Sequence, residues 1–237
     1  MSSRPLEWLG GITVRRRVFV IHGRDEAVRE RMFDFLRALD LKPLEWETLV
    51  AASGSTVPFL GDVVQRAPAL ARAAVVLLTP DDVVNLHPGL QDRGEAAFEI
   101  AGACQPRPNV LIELGMVLMA YPQRAIIVEF GSLRPVADLA GRSVIRFDGS
   151  AICLGNLAER LKSAGCTADT KGSDWRNPRR FQGLDAYDRR PSAAPPNRPG
   201  LTAGPCARPS RWHPVTLPGC APPTRPPERG YGPQAWS

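Results

Sequence analysis

Ala73-Ala74-Val75-Val76-Leu77-Leu78-Thr79 is an unbroken apolar run that ends in Pro80-Asp81-Asp82. A short continuous run of this kind, closed by a proline and two acids, reads as a strand buried on both faces. Toward the N-terminus, Arg17-Val-Phe-Val-Ile-His22 is a second such run, behind Arg15 and Arg16. Gly23-Arg24-Asp25 then turns the chain, with Asp25 placed to cap a helix. Val28, Met32, Phe35, Leu36 and Leu39 follow at helical spacing with charges between them. Lys42 to Trp46 gives a further strand, Glu47 to Pro58 a loop rich in small residues, and Thr56 to Arg66 a short helix. Beyond Asp82 a long irregular stretch runs to Pro108. Asn109 to Ala120 reads as an apolar helix, Arg124 to Phe130 and Ser143 to Phe147 as the fourth and fifth strands, and Ile152 to Ala164 as an amphipathic helix. Strands alternating with helices at this spacing predict an α/β fold, a five-stranded parallel sheet with helices on both faces. The flavodoxin-like strand order 2-1-3-4-5 fits, and in that architecture ligands sit at the carboxyl ends of the strands.

The net charge of +6 misleads unless it is located. Residues 1–170 hold 19 Lys/Arg against 20 Asp/Glu, whereas residues 171–237 hold 11 against 4. The basicity belongs to the C-terminal part, without the aromatic interleaving of a single-strand nucleic-acid binder, so no specific nucleic-acid partner is expected. From Pro191 onward, 13 of 47 residues are proline, a composition that buries too little apolar surface to offset its ordering entropy. The predicted division is an N-terminal extension over 1–16, one domain over 17–168, and a disordered Pro/Arg-rich tail over 169–237. Met1 to Arg17 lacks the apolar stretch of a signal peptide, and no apolar run reaches the ~18 residues of a membrane span. These features place the protein in the cytoplasm, with no membrane partner. The five cysteines show no CxxC pair, and His22, His87 and His213 are scattered, so no metal-ligand set is expected.

Three loops at the carboxyl edge of the sheet bring polar residues together: His22-Gly23-Arg24, Ala52-Ser53-Gly54-Ser55-Thr56, and Thr79-Pro80-Asp81-Asp82. Taken singly these are turns and caps, and Gly23 and Gly54 serve the backbone first. Neither a Walker pattern nor GxGxxG is present, which removes kinase-like and dehydrogenase-like readings. The sharper signal is Asn109-Val-Leu-Ile-Glu113-Leu-Gly-Met-Val-Leu-Met119, in which Glu113 is the only charge. Its neighbours three and four residues away are Val110, Asn109, Met116 and Val117, so the helix offers it no ion pair. An ionised carboxylate cannot be buried cheaply alone. Either Glu113 meets a distant partner, such as an arginine or backbone amides, or it lines a cavity. Asn109 shares its face, and Gly115 leaves room nearby.

Several segments together resemble one family. Val18-Phe-Val-Ile-His-Gly-Arg-Asp25 is similar to the opening strand and turn of TIR-like predicted nucleotide-binding proteins, which include the TIR effectors of bacterial CBASS and Pycsar anti-phage systems. Val75-Val-Leu-Leu-Thr-Pro-Asp-Asp82 resembles their third strand and TPDD turn. Arg107-Pro-Asn-Val-Leu-Ile-Glu-Leu-Gly115 resembles their RQNVxxELG helix. Asp138-Leu-Ala-Gly141 with Val144-Ile-Arg-Phe147 resembles the closing DLxG and strand. Four motifs in order span about residues 17–150.

The resemblance implies a TIR fold and an NAD nucleosidase that releases nicotinamide from NAD by hydrolysis or cyclisation, depleting NAD as a defence effector. It makes Glu113 the catalytic carboxylate. The substrate-binding positions it implies are His22, Gly23, Arg24, Thr56, Asp81, Asp82 and Asn109. NAD is substrate, and no cofactor is implied. It also implies homo-oligomers through TIR–TIR contacts and a sensor protein or cyclic-nucleotide-linked trigger. The competing expectation is a TIR-like nucleotide-binding or protein-interaction module without turnover, since Gln105-Pro-Arg-Pro-Asn109 keeps only part of the family's RARQN.

Overall fold

The computed structural model describes residues 13–54 and 59–191. The main sheet is built from β1 (Arg17–Ile21), β2 (Lys42–Leu44), β3 (Ala73–Leu78), β6 (Ala125–Phe130) and β7 (Ile145–Phe147). All neighbours are parallel, in the order β2-β1-β3-β6-β7. Counting only the strands of this sheet, that is the expected order. β3 lies at its centre with all six residues buried. β2 is an edge strand, which tolerates the missing N–H of Pro43.

Successive side chains of a strand point to opposite faces, and the two faces have separate cores. Val18, Val20, Val75, Leu77, Val128 and Phe147 pack with α1 (Glu26–Ala38) and α6 (Ala151–Ser163). Phe19, Ile21, Val76, Leu78 and Ile127 pack with α2 (Trp46–Ser53), α3 (Leu60–Leu70) and α5 (Pro108–Ala120). The helix starts are fixed locally. Asp25 accepts from the Val28 N–H and Ser150 from the Cys153 N–H.

Three stretches differ from the reading of the sequence. The strand expected to reach Trp46 stops at Leu44, and the expected loop over 47–58 begins as α2, whose Leu49 is fully buried. The small residues Ala51, Ala52 and Ser53 continue the helix, which ends at Gly54 in the left-handed conformation. The helix expected over Thr56–Arg66 runs from Leu60 to Leu70. The irregular stretch after Asp82 contains a two-stranded antiparallel ribbon, β4 (Asp82–Val84) with β5 (Ala103–Gln105), and one helical turn, α4 (Ala97–Ile100). An Arg134–Glu99 ion pair at 2.5 Å and the Arg134 N–H donating to the Cys104 carbonyl fasten this insert to the chain after β6.

The largest correction concerns the tail. Residues 169–191 are not a disordered segment but part of the domain, as three 3-10 turns at Asp174–Arg176, Pro178–Phe181 and Asp185–Tyr187. Trp175, Phe181, Leu184 and Ala186 are buried in the α1/α6 core. Phe181 packs edge-on against Phe147 at 4.7 Å between ring centroids, and Tyr187 stacks on Phe130 at 6.2 Å. Few but large anchors replace the periodic pattern that would mark a helix or strand. Two glycines admit the segment at the ends of β6 and β7. A Cβ on Gly131 (φ +66°) would lie 2.2 Å from the Ala186 carbonyl oxygen, and one on Gly149 (φ +73°) 2.9 Å from Phe181. The Pro-rich composition from residue 192 onward lies outside the described residues, as do residues 1–12 of the expected N-terminal extension.

Candidate functional site

The strand order reverses direction between β1 and β3, so the loops leaving them diverge and open a crevice at the carboxyl edge. A cleft of about 550 Å³ lies there, lined by Arg24, Asp25, Glu26, Asp81, Asp82, Arg107 and Arg189. The first loop enters it because Gly23 has no side chain. A Cβ there would sit 1.7 Å from Asp81 Oδ2. Asp81 instead takes the space, accepting from the Thr79 hydroxyl at 3.1 Å and the Arg24 backbone N–H at 3.3 Å. Burial pushes the Asp81 carboxyl above its ordinary value, while these two donors pull it back.

The other carboxylates of the cleft are also held. Asp82 accepts from Arg107 at 2.8 Å. Asp25, whose side chain is only 6% exposed, caps α1 through Oδ1 and pairs with Arg189 through Oδ2 at 3.0 Å. Glu26 pairs with Arg29 on its own helix. For the Arg24 side chain no bond or ion pair is found among the described residues, and it is exposed.

Glu113 stands on α5, whose N-cap residue Arg107 walls the cleft. Val110, Leu114, Val117 and Tyr121 form the buried face of this helix, and Ile112 and Met119 its outer face. Glu113 lies between, half-buried. The Met116 methyl, three residues on, would be 3.7 Å from a Cβ on Gly61 of α3. Residues three apart share a flank of a helix, so Glu113 is on the flank that meets α3, one turn nearer the carboxyl edge of the sheet. No hydrogen bond or ion pair to it is found among the described residues, and burial alone raises its pKa to about 6. The first alternative posed by the sequence, a distant cationic partner, is therefore not met among them.

The expected site residues that the structure describes fall into three groups, and Thr56 stands outside them. Gly23, Arg24, Asp81 and Asp82 come together at the cleft. Asn109, exposed at the start of α5, and Glu113 share a flank of that helix and are not among the residues lining the cleft. His22 is half-buried, its ring edge-on to Phe33 at 6.3 Å and its Nδ1 3.0 Å from the Gly23 carbonyl. Thr56 lies outside the described residues. Reading the sequence missed Arg189 as part of this site. It arrives from 3-10 turns without periodicity, beside Arg190, and looks like one more charge of a basic tail. Arg107 was visible only as part of a motif, and Asp25 only as a helix cap.

A second cleft of about 530 Å³ lies on the other side of the sheet's carboxyl edge, with Leu78, Leu133, Val144 and Glu129 in its walls. Burial raises the Glu129 carboxyl, and Arg146, its cross-strand neighbour, offsets this in part. Among the described residues no group of three or more His, Cys, Asp or Glu is placed to hold a metal ion. Likewise no helix among them is long and apolar enough to cross a membrane.

None of the curated proteins compared with the chain matches it. The family model of the CAP12/Pycsar effector protein TIR domain, by contrast, matches residues 17–149. That span begins with β1 and closes just after β7, so it takes in the whole parallel sheet and every loop of the cleft except the segment that carries Arg189. With the five-stranded order and the switch-point cleft, this match establishes that the chain belongs to the family of CAP12/Pycsar effector TIR domains.

Proposed function

We propose that the chain is an NAD nucleosidase that cleaves the bond between nicotinamide and ribose, with Glu113 as its catalytic carboxylate. One observation carries the reading: Glu113 is half-buried without a protein partner among the described residues, and burial holds its pKa at about 6. A carboxylate so placed is ready to meet positive charge that the protein itself does not supply. Cleavage of this bond generates such charge. Nicotinamide leaves as a neutral ring from a cationic precursor, so departure needs no general acid, and the two-carboxylate requirement of ordinary glycoside cleavage relaxes. Glu113 accepts hydrogen bonds from the ribose hydroxyls and stabilises the oxocarbenium-like sugar. Water, or another nucleophile of the same substrate, completes the reaction to ADP-ribose or a cyclic form. In this reading the cleft of Arg24, Asp81 and Asp82 holds the remainder of the dinucleotide, with His22, Gly23 and Asn109 around it and Thr56, outside the described residues, as a further substrate-binding residue. NAD is consumed as substrate and no cofactor is required. The setting is an anti-phage effector in the cytoplasm, assembled through TIR–TIR contacts under a sensor protein or a cyclic-nucleotide-linked signal.

The test is NAD consumption by the purified full chain at high concentration, against Glu113→Gln. Turnover by the wild type and a loss of about 10²-fold or more in the variant are expected, the size seen when one group stabilising a transition state is removed. Equal turnover by both proteins overturns the role of Glu113. A second reading, nucleotide binding without turnover, is favoured by the absence of Glu113 from the cleft lining. It prevails if NAD or ADP-ribose binds and neither protein, even when concentrated or crowded, releases nicotinamide.

A further inference from the structure

The cleft has one wall that lies beyond the family's TIR domain. Arg189 stands 40 residues after the matched span, yet it bridges the first and third loops of the sheet. Its Nη2 lies 3.0 Å from Asp25 Oδ2, and its Nη1 donates to the Pro80 carbonyl at 3.2 Å. Its backbone is held as well, since its carbonyl lies 3.9 Å from the Cys104 thiol of β5. Upstream, Phe181 and Ala186 are buried and Gly131 admits the Ala186 carbonyl at a distance that no side chain would allow. Arg189 is therefore placed by the fold and is not a loose surface charge.

A guanidinium carries five N–H donors in one plane. Nη1 donates to the Pro80 carbonyl, Nη2 forms an ion pair but no hydrogen bond with Asp25, and the side chain, 37% exposed, lines the cleft. Across from it are the Arg24 side chain, without a partner among the described residues, and Arg107, which also lines the cleft while holding Asp82. The cleft carries four carboxylates too, but each already accepts from the protein: Asp25 from the Val28 N–H, Asp81 from Thr79 and the Arg24 N–H, Asp82 from Arg107, Glu26 from Arg29. The donors left over are those of guanidinium groups, the geometry that matches a phosphate or diphosphate in bidentate fashion.

We propose that Arg189 is a ligand-binding residue, contributed by the segment 169–191, that contacts the diphosphate of a dinucleotide bound between the first and third loops. The identity of the dinucleotide rests on the NAD reading above; the diphosphate contact does not.

The experiment titrates the full chain with ADP-ribose and, separately, with inorganic diphosphate, for wild type, Arg189→Gln and Arg189→Lys. Thermal melting accompanies each titration. Arg189→Gln weakens both probes at least tenfold with the fold intact, and Arg189→Lys recovers part of the loss because it keeps the charge without the fork. In NAD turnover the same change raises KM more than it lowers kcat. Unchanged affinity in Arg189→Gln overturns the proposal, and so does a wild type that binds neither probe. A loss that follows a collapsed melting transition and is not recovered by lysine also overturns it, leaving Arg189 a structural clamp. A wild type that binds diphosphate through Arg189 and never cleaves NAD removes the nucleosidase reading and keeps this one. Cleavage with the same KM in Arg189→Gln does the reverse.

Discussion

The parallel sheet and the segment 169–191 build the same cleft by different means. The sheet is held by repetition. Each strand of β1, β3 and β6 alternates its side chains between two cores, and Ala74, Val75 and Val76 of β3 are paired with a strand on both sides. The segment has no ladder and no helix longer than four residues. It is held by four buried side chains and by two glycines that let its backbone approach. The sheet distributes its stability over many similar contacts, so one loss is shared. The segment concentrates it in a few, so one loss detaches the wall that carries Arg189.

Truncation tests this contrast most severely. A chain ending at residue 168 loses Trp175, Phe181 and Leu184 from the α1/α6 core, and it is expected to melt far below a chain ending at residue 191, or to fail to fold. Equal melting temperatures for the two would make the segment an appendage. Phe181→Ala comes next. It removes a side chain 1% exposed that touches Phe147 and Phe35, at a cost of about 3–5 kcal/mol by urea unfolding. A cost below about 1 kcal/mol would deny the concentration of contacts. Gly131→Ala follows, at about 2 kcal/mol or more, since it meets both a left-handed backbone and the Ala186 carbonyl.

Glu113→Gln has the opposite sign. Burial raises the Glu113 pKa from 4.5 to about 6, so the native state retains a proton that the unfolded chain has released. Native stability therefore falls as pH rises from about 4.5 to about 6, and stays lower above it. The variant is expected to be more stable by about 1 kcal/mol at pH 7.5 and no different at pH 4, which unfolding at the two pH values measures. A variant less stable at pH 7.5 would mean that the carboxylate has a partner. The smallest effect is reserved for Asp34→Ala in α1, which breaks an exposed pair with Arg37. It is expected to change stability by less than about 0.5 kcal/mol.

The legibility of the sequence follows the same contrast. Ala73 to Leu78 and Val18 to Ile21 read directly as buried strands, and Val28 to Leu39 as an amphipathic helix, because their burial repeats with the period of the backbone. The parallel sheet followed from the alternation of these elements, and the order 2-1-3-4-5 was one that five such strands fit. Trp175, Phe181 and Tyr187 have no period, so a rule that counts apolar density places them in a tail. The site divides likewise. Asp81 and Arg24 were legible because loops at strand ends must lie at the carboxyl edge. That Gly23 exists to admit Asp81, and that Arg189 closes the far side, are facts of approach between residues distant in the chain, and no local pattern encodes them. That Glu113 has no ion-pair partner on its own helix was foreseeable from the apolar run around it; that no distant partner meets it among the described residues, and which flank it occupies, were not.

The position of Arg189 late in the chain has a consequence for the order in which the molecule is made. Ribosomes add ~5–20 residues per second, so the interval between the emergence of Gly149 and that of Arg189 is on the order of 2–8 s. During it the five strands can pair, but the Asp25 carboxylate faces an unfinished cleft. The nascent sheet thus waits seconds for Trp175, Phe181 and Leu184 to complete the α1/α6 core, and the same late segment that finishes the core sets the far wall of the cleft.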